Sequence, residues 1–255
     1  MQRAFIVAGE KEETMKIQIA DVQIEVNQAD AYTEYLSREY RSDSDRCDIE
    51  ISVTEQEIEQ VRRENTGAEL PEEVLKSFAI LEKLNMEMLK FDAFYLHAAI
   101  IAVNDEAYAF SAKSGTGKST HIHLWKQYFG ERAVIINGDK PFLRRIDGVL
   151  YACGSPWCGK EGWQTNVMVP LKALCFLERA EENKIERISQ AEVIERIFRQ
   201  IRFPHDAEKM RKFLELMDWL VSHIPCYRLR CNISEEAVKV SYHGMSELEN
   251  RKTGE

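Results

Sequence analysis

Residues 112–119 read AKSGTGKS, and a stretch of that composition tolerates few surroundings. Gly115 and Gly117 let the backbone turn its N–H groups inward without a Cβ in the way. Such amides, with the positive end of a following helix, hold phosphate oxygens. The stretch departs from G-x-x-x-x-G-K-[ST] only at its first position, where Ala112 stands. Lys118 then reaches the β and γ phosphates, and the Ser119 hydroxyl is a ligand for Mg2+. Ser114, Gly115, Thr116, Gly117, Lys118, Ser119 and Thr120 are the expected nucleotide contacts. A cradle of this kind must follow a strand and open a helix. EAYAFS precedes it, and a helical pattern runs on to about Tyr128, where Gly130 can cap it. AVIINGD at 133–139 reads as a strand ending in an acid, twenty residues after Ser119. Asp139 stands where a Walker B acid would hold Mg2+ through water. The competing reading, a Gly-Ser turn with a solvated lysine, explains neither the flanking elements nor the distal acid.

With 44% hydrophobic and 30% charged residues among 255, the composition is globular. Acids outnumber bases 43 to 34, so there is no general attraction to nucleic acid. No run of about 18 apolar residues predicts a membrane span. The opening MQRAFIVAGEKEE lacks the apolar core of a secretory signal. Six cysteines are too sparse for a disulfide scaffold. Free thiols in a reducing cytosol, and hence a cytoplasmic protein, are the expectation.

Two regions are expected. Residues 1–90 form a small strand-rich lobe with acidic loops and a helix. MKIQIADVQIEV at 15–26 predicts a hairpin, and CDIEISV at 47–53 alternates as well. Pro71 suits the first turn of a helix reaching about Leu89, with Val74, Phe78, Leu81, Leu84 and Met88 in one stripe. Residues 91–255 form the nucleotide-binding domain, an α/β core whose sheet is buried on both faces. FYLHAAIIAV from Phe94 is a nearly continuous apolar run, and 169–179 a further buried strand. Helices are predicted over 190–201 and 206–223, the second with a stripe of Met210, Phe213, Leu214, Met217, Leu220 and Val221. CYRLRC is a last strand and SEEAVKVSYHGM a last helix.

The segments LHAAIIAV, AYAFSAKSGTGKSTHIHLW, AVIINGDKPFLR and VPLKALCFLER together resemble P-loop proteins of the HPr kinase/phosphorylase and phosphoenolpyruvate carboxykinase type, above all the short HPr-kinase-like proteins of bacteria. The resemblance covers about residues 94–180. It implies a P-loop core, ATP and Mg2+ as cofactors, and His97 near the transferred phosphoryl. It gives Lys118 and Ser119 to phosphate and metal, and makes Asp139 one acid of a pair. Here Gly138 stands in place of the other acid, which argues against phosphorylase activity. Asp139 then serves as metal ligand or as base towards a hydroxyl. The basic signature of true HPr kinases is not found after the core, and the chain is short for a carboxykinase.

Without the resemblance, His97 reads as readily as a satisfied core histidine. Lys140 is either solvated or turned to the γ-phosphate. GSPWCGKEGW at 154–163 is a structured loop whose Lys160 and Glu161 can reach substrate, or whose tryptophans merely pack on the core. Cys153/Cys158 and Cys226/Cys231 lack zinc spacing and read as buried thiols. His121 and His123, two apart on a helix, point in different directions. The expected function is transfer of the γ-phosphoryl of ATP to a hydroxyl, first a serine of a protein or peptide, with Asp139, His97 and Lys118 catalytic. A small-molecule kinase and a non-catalytic nucleotide sensor are the alternatives. Nucleotide and a hydroxyl-bearing substrate are the partners, without nucleic acid or membrane; a homo-oligomer is compatible with the sequence.

Overall fold

The computed structural model describes residues 14–65, 67 and 69–246. The opening stretch, on which the reading of no secretory signal rests, lies outside the described residues. Two compact units divide between Leu84 and Asn85.

In the first unit, β1 (Met15–Ile19) and β2 (Val22–Val26) form the predicted hairpin, Met15 opposite Val26. Its turn residues Ala20 and Asp21 both take positive φ, the two-residue geometry that matches strand twist. Helix α1 (Ala31–Ser37) starts at Asp30, whose carboxylate accepts the Thr33 N–H. Strand β3 (Ile49–Ile51) runs parallel to β2. Helix α2 (Glu55–Glu64) starts at a full capping box between Thr54 and Glu57. The lobe is thus less purely strand-built than its alternation implies. Part of what reads as acidic loop is the first turn of α2, where carboxylates meet the positive end of the helix. Helix α3 (Glu72–Met88) follows Pro71, and Ile58, Val61, Leu75 and Ala79 pack together. Of its expected stripe, Leu81, Leu84 and Met88 are buried while Val74 and Phe78 are half-buried.

The second unit is a mixed α/β structure. Its strands are β4 (Ala93–Tyr95), β5 (Ala98–Val103), β6 (Glu106–Ser111), β7 (Ala133–Asn137), β8 (Phe142–Ile146), β9 (Val149–Cys153), β10 (Met168–Arg179), β11 (Lys184–Arg187) and β12 (Cys226–Cys231). Its helices are α4 (Lys118–Phe129), α5 (Gln190–Ile197), α6 (Ala207–His223) and α7 (Glu235–Ser246). The sheet runs β4-β8-β9-β10-β6-β5-β7, with β12 on β10 and β11 on β12. Strands β6, β10 and β12 are mutually parallel. Strand β5 is antiparallel to both β6 and β7, so β7 points the same way as β6.

Strand β5 divides two cores by its alternation. Ala98, Ile100 and Ala102 face Val193, Ile197, Phe213, Leu216 and Leu220 of α5 and α6. Ala99, Ile101 and Val103 face Ile122, Trp125, Phe129 and Val238 of α4 and α7. A sheet covered on both faces can carry the near-continuous apolar strands seen in the sequence. Trp125 is fully buried, and its truncation to Ala would cost about 3–5 kcal/mol.

Three expectations change. The apolar run from Phe94 is two strands, broken at Leu96-His97. The helix expected to reach 201 ends at Ile197. Leu214 is 45% exposed, and Leu216 takes its place in the core of α6. The hairpin β8–β9, which composition did not announce, turns on Asp147-Gly148, both at positive φ. Among the described residues no helix is long and apolar enough to cross a membrane.

Candidate functional site

The carboxyl ends of β6, β7, β10 and β12 lie on one edge of the sheet, where open α/β sheets place ligands. The AKSGTGKS loop leaves β6 at that edge and enters α4. Gly115 (φ 78°) and Gly117 (φ 121°) adopt the backbone region that side chains resist, and a Cβ at either would touch nothing within 4 Å. Conformation, and not space, requires glycine at both. No side chain caps the start of α4 and no acid lies in its first turn. Arg179, at the end of β10, donates to the carbonyls of Gly115 and Thr116. In a trans peptide the N–H lies opposite the C=O, so the Gly117 amide is turned away from Arg179. The Thr116 N–H is used within the loop, on the Lys113 carbonyl.

Lys118 is 8% exposed. Its Nζ donates to the Ala112 carbonyl at 3.2 Å, spanning the loop, and lies 3.0 Å from His97 Nε2. Burial lowers its pKa below that of an ordinary lysine; Asp139 pulls the other way and Lys140 adds to the lowering. His97 sits in the break between β4 and β5, its carbonyl held by the Ser111 hydroxyl. The same Nε2 lies 3.1 Å from Asp139 Oδ1. Asp139 Oδ2 takes the Lys140 ammonium at 2.7 Å. Burial works against the Asp139 anion, but the hydrogen bond from His97 and the charge of Lys140 outweigh it and hold the carboxyl well below the usual range.

The backbone around Asp139 is clamped. Asn137 Oδ1 accepts both the Asp139 and Lys140 N–H groups at 2.8 Å. Asn137 Nδ2 is itself fixed on Ser155. Gly138 has no positive φ to excuse it. A Cβ there would stand 2.7 Å from the backbone carbonyl oxygen of Cys158. The loop 154–163 therefore occupies the space a second acid would need. Trp157 in that loop is buried, and Trp163 stacks on His123 with centroids 5.4 Å apart. Both tryptophans pack, as the plainer reading of this loop expected, while Lys160 and Glu161 are exposed at its tip. Gly159 brings that tip against the Asp139 side chain.

Of the residues singled out from sequence, Lys118, His97, Asp139 and Lys140 meet in one cluster. Ser114, Gly115, Thr116, Gly117, Ser119 and Thr120 form the loop and first turn above it, with Ser114, Gly115 and Thr120 exposed. His121 is instead buried between Trp125 and Ser241, and burial alone pushes its pKa down to about 4. It faces away from His123. The cysteines are free thiols, Cys47 exposed and Cys231 half-buried.

Sequence reasoning missed two participants. Gln200, just past α5, places Oε1 3.0 Å from His97 Nδ1 and accepts the His97 N–H on its carbonyl. Nothing local marks it, since it is 103 residues from its partner. Arg179 was visible only as the end of a strand.

Magnesium needs one or two protein oxygens when phosphate and water supply the rest. The Ser119 hydroxyl and the Asp139 carboxylate are of that type. Among the described residues no group of three or more His, Cys, Asp or Glu side chains is arranged to hold a metal by itself.

No protein-family model matches this chain, and no curated protein does. Among solved structures, the HPr(Ser) kinase/phosphatase from Coxiella burnetii is similar with a TM-score of 0.37 and 10% identity, over 62% of this chain and 96% of that one. So distant a likeness leaves the site to be judged on its own geometry.

Proposed function

We propose that the chain is an ATP-dependent kinase that moves the γ-phosphoryl group to a hydroxyl, with a serine of a protein or peptide as the first candidate acceptor. The observation that carries this reading is the meeting of Lys118 with Asp139 across a single imidazole nitrogen, that of His97, beside a glycine-turned loop. Phosphoryl transfer needs positioning and charge neutralisation more than covalent chemistry. Lys118 and the loop amides receive the phosphates, Lys118 leaving the Ala112 carbonyl to do so. Bound Mg2+ would neutralise phosphate charge, held by Ser119 and Asp139. As the acceptor oxygen bonds to phosphorus, the bond to the β–γ bridging oxygen breaks and ADP leaves. The hydroxyl proton passes to Asp139. A carboxylate held so far below its usual range is a weak base, and its main work is to orient the hydroxyl. In a loose transition state that suffices.

The test is incubation with γ-labelled ATP and Mg2+, following label into a cell extract separated by size. Label in polypeptide supports the protein-kinase reading, and label in small molecules moves the acceptor to that class. Lys118→Ala should abolish transfer. Asp139→Asn should lower it by about 100-fold or more while nucleotide binding changes far less. Nucleotide binding without any transfer would reduce the protein to a sensor, and normal transfer by Asp139→Asn would remove that residue from the mechanism.

A further inference from the structure

From sequence, Lys140 reads as solvated or as turned to the γ-phosphate. The structure holds it in a third arrangement, with its ammonium 2.7 Å from Asp139 Oδ2. His97 Nε2 lies 3.1 Å from Oδ1, so both oxygens of the acid are engaged from within the chain. An acceptor hydroxyl that seeks Asp139 competes there with a charged donor.

Lys140 is fixed at its root. Its N–H is accepted by Asn137 Oδ1 at 2.8 Å and by the Trp157 carbonyl at 3.1 Å. Its own carbonyl takes the Ser155 hydroxyl at 2.6 Å, and Ser155 is fully buried. The backbone therefore stays where it is while the four-carbon stem can swing the ammonium to a new partner. That ammonium is close enough to the loop for its charge to help lower the pKa of Lys118. Lys118 and Lys140 thus converge on one carboxylate beside the glycine-turned backbone. A terminal phosphoryl group offers three acceptor oxygens and about −1.5 to −2 charges, against a single charge on Asp139. Once it lies on the loop it is the stronger partner for an ammonium.

We propose that Lys140 is a catalytic residue held in reserve on Asp139, which passes to the γ-phosphoryl group when a triphosphate fills the loop. The exchange breaks one ion pair and forms another, and the proton stays on the ammonium. It opens Asp139 Oδ2 to the acceptor hydroxyl only when a phosphoryl group is present to be transferred. A diphosphate, lacking the γ group, leaves Lys140 on Asp139. The inference rests on the kinase reading of this site, and adds what releases its acid.

The test is calorimetric titration of the full chain, with Mg2+, by ATP, by ADP and by inorganic tripolyphosphate. Wild type should bind ATP at least about tenfold tighter than ADP. Lys140→Met, which keeps the length and removes the charge, should weaken ATP and tripolyphosphate about tenfold and leave ADP within about twofold. Lys140→Gln should do the same to a smaller extent. In the label assay Lys140→Met should lower transfer about 100-fold. Unchanged ADP binding shows that a variant is folded. Unchanged ATP binding by Lys140→Met, a loss shared equally by ADP, or a loss for ATP without tripolyphosphate overturns the handover and leaves the kinase reading to the label assay. Wild type that binds ATP no tighter than ADP overturns it as well. If wild type shows the γ-specific contact but transfers no label, the handover stands and the kinase reading falls; binding of none of the three ligands overturns both.

Discussion

Replacing Gly138 by Ala tests why this site carries one acid. A Cβ built there comes 2.7 Å from the Cys158 carbonyl oxygen and 3.6 Å from that of Trp163. Tolerable carbon–oxygen contacts begin near about 3.3 Å, so the Cys158 carbonyl must retreat by roughly 0.6 Å. It is not free to do so. The Lys140 N–H is held by the Trp157 carbonyl next door, and the Gly138 N–H by Trp163. Overpacking of this kind costs about 1–3 kcal/mol, and loss of one clamp adds about 1 kcal/mol. The sum, roughly 2–4 kcal/mol, should lower the melting temperature of a unit this size by about 6–12 °C. Gly138→Asp should do at least as badly, since it adds a second anion beside Asp139. Gly148→Ala is the control: its φ is 78° with nothing within 4 Å, so only backbone strain of about 1 kcal/mol is expected. Circular-dichroism melts of the three variants decide the matter. If Gly138→Ala melts within about 2 °C of wild type, the Cys158 carbonyl is not what keeps the second acid out.

Gln200→Leu removes the acceptor facing His97 Nδ1 and should lower kcat by about tenfold with the KM for ATP little changed, while Gln200→Glu, which keeps an acceptor, retains more activity; a loss confined to KM would assign Gln200 to binding. Arg179→Ala frees the loop carbonyls and should weaken ATP and tripolyphosphate alike, by several-fold in the same titrations. His121 is held near pKa 4 against 6.5 when free, so the unfolded chain binds the extra proton between those values. Stability should therefore be full above about pH 6.5 and fall as pH drops towards 4, by of order 3 kcal/mol, a slope that denaturant titrations of His121→Gln should lack. Asp139 has the same sign at lower pH, as a carboxylate held ionised: its folded value lies below 3.8, the ordinary one at which its loss begins. Its contribution is complete above about pH 3.8 and is lost as pH falls from there through the folded value, so the stability gap between wild type and Asp139→Asn should close in strong acid.

Much of the architecture follows from local rules that act within a few residues. Alternation in 15–26, the paired positive-φ turns, the Asp30 and Asp206 caps and the capping box at Thr54 all lie in the chain where a side chain and the backbone it serves are neighbours. The loop at 112–119 belongs with them, because Gly115 and Gly117 are needed by the φ values of their own positions. Helices α1 and α2 escaped notice although their caps were written out, since the acids around them read as loop.

The rest depends on contacts between distant parts of the chain. Nothing near Leu96-His97 announces that an apolar run breaks there; the break exists because β4 and β5 pair with different strands, β8 on one side and β6 and β7 on the other. Nothing near Gly138 announces that its lost Cβ clears a carbonyl twenty residues on, nor near Gln200 that it holds His97. Sequence fixes which residue types are available for chemistry, because composition and φ are local properties. Whether one nitrogen of His97 meets both Lys118 and Asp139 is decided only by the register of the sheet that carries all three.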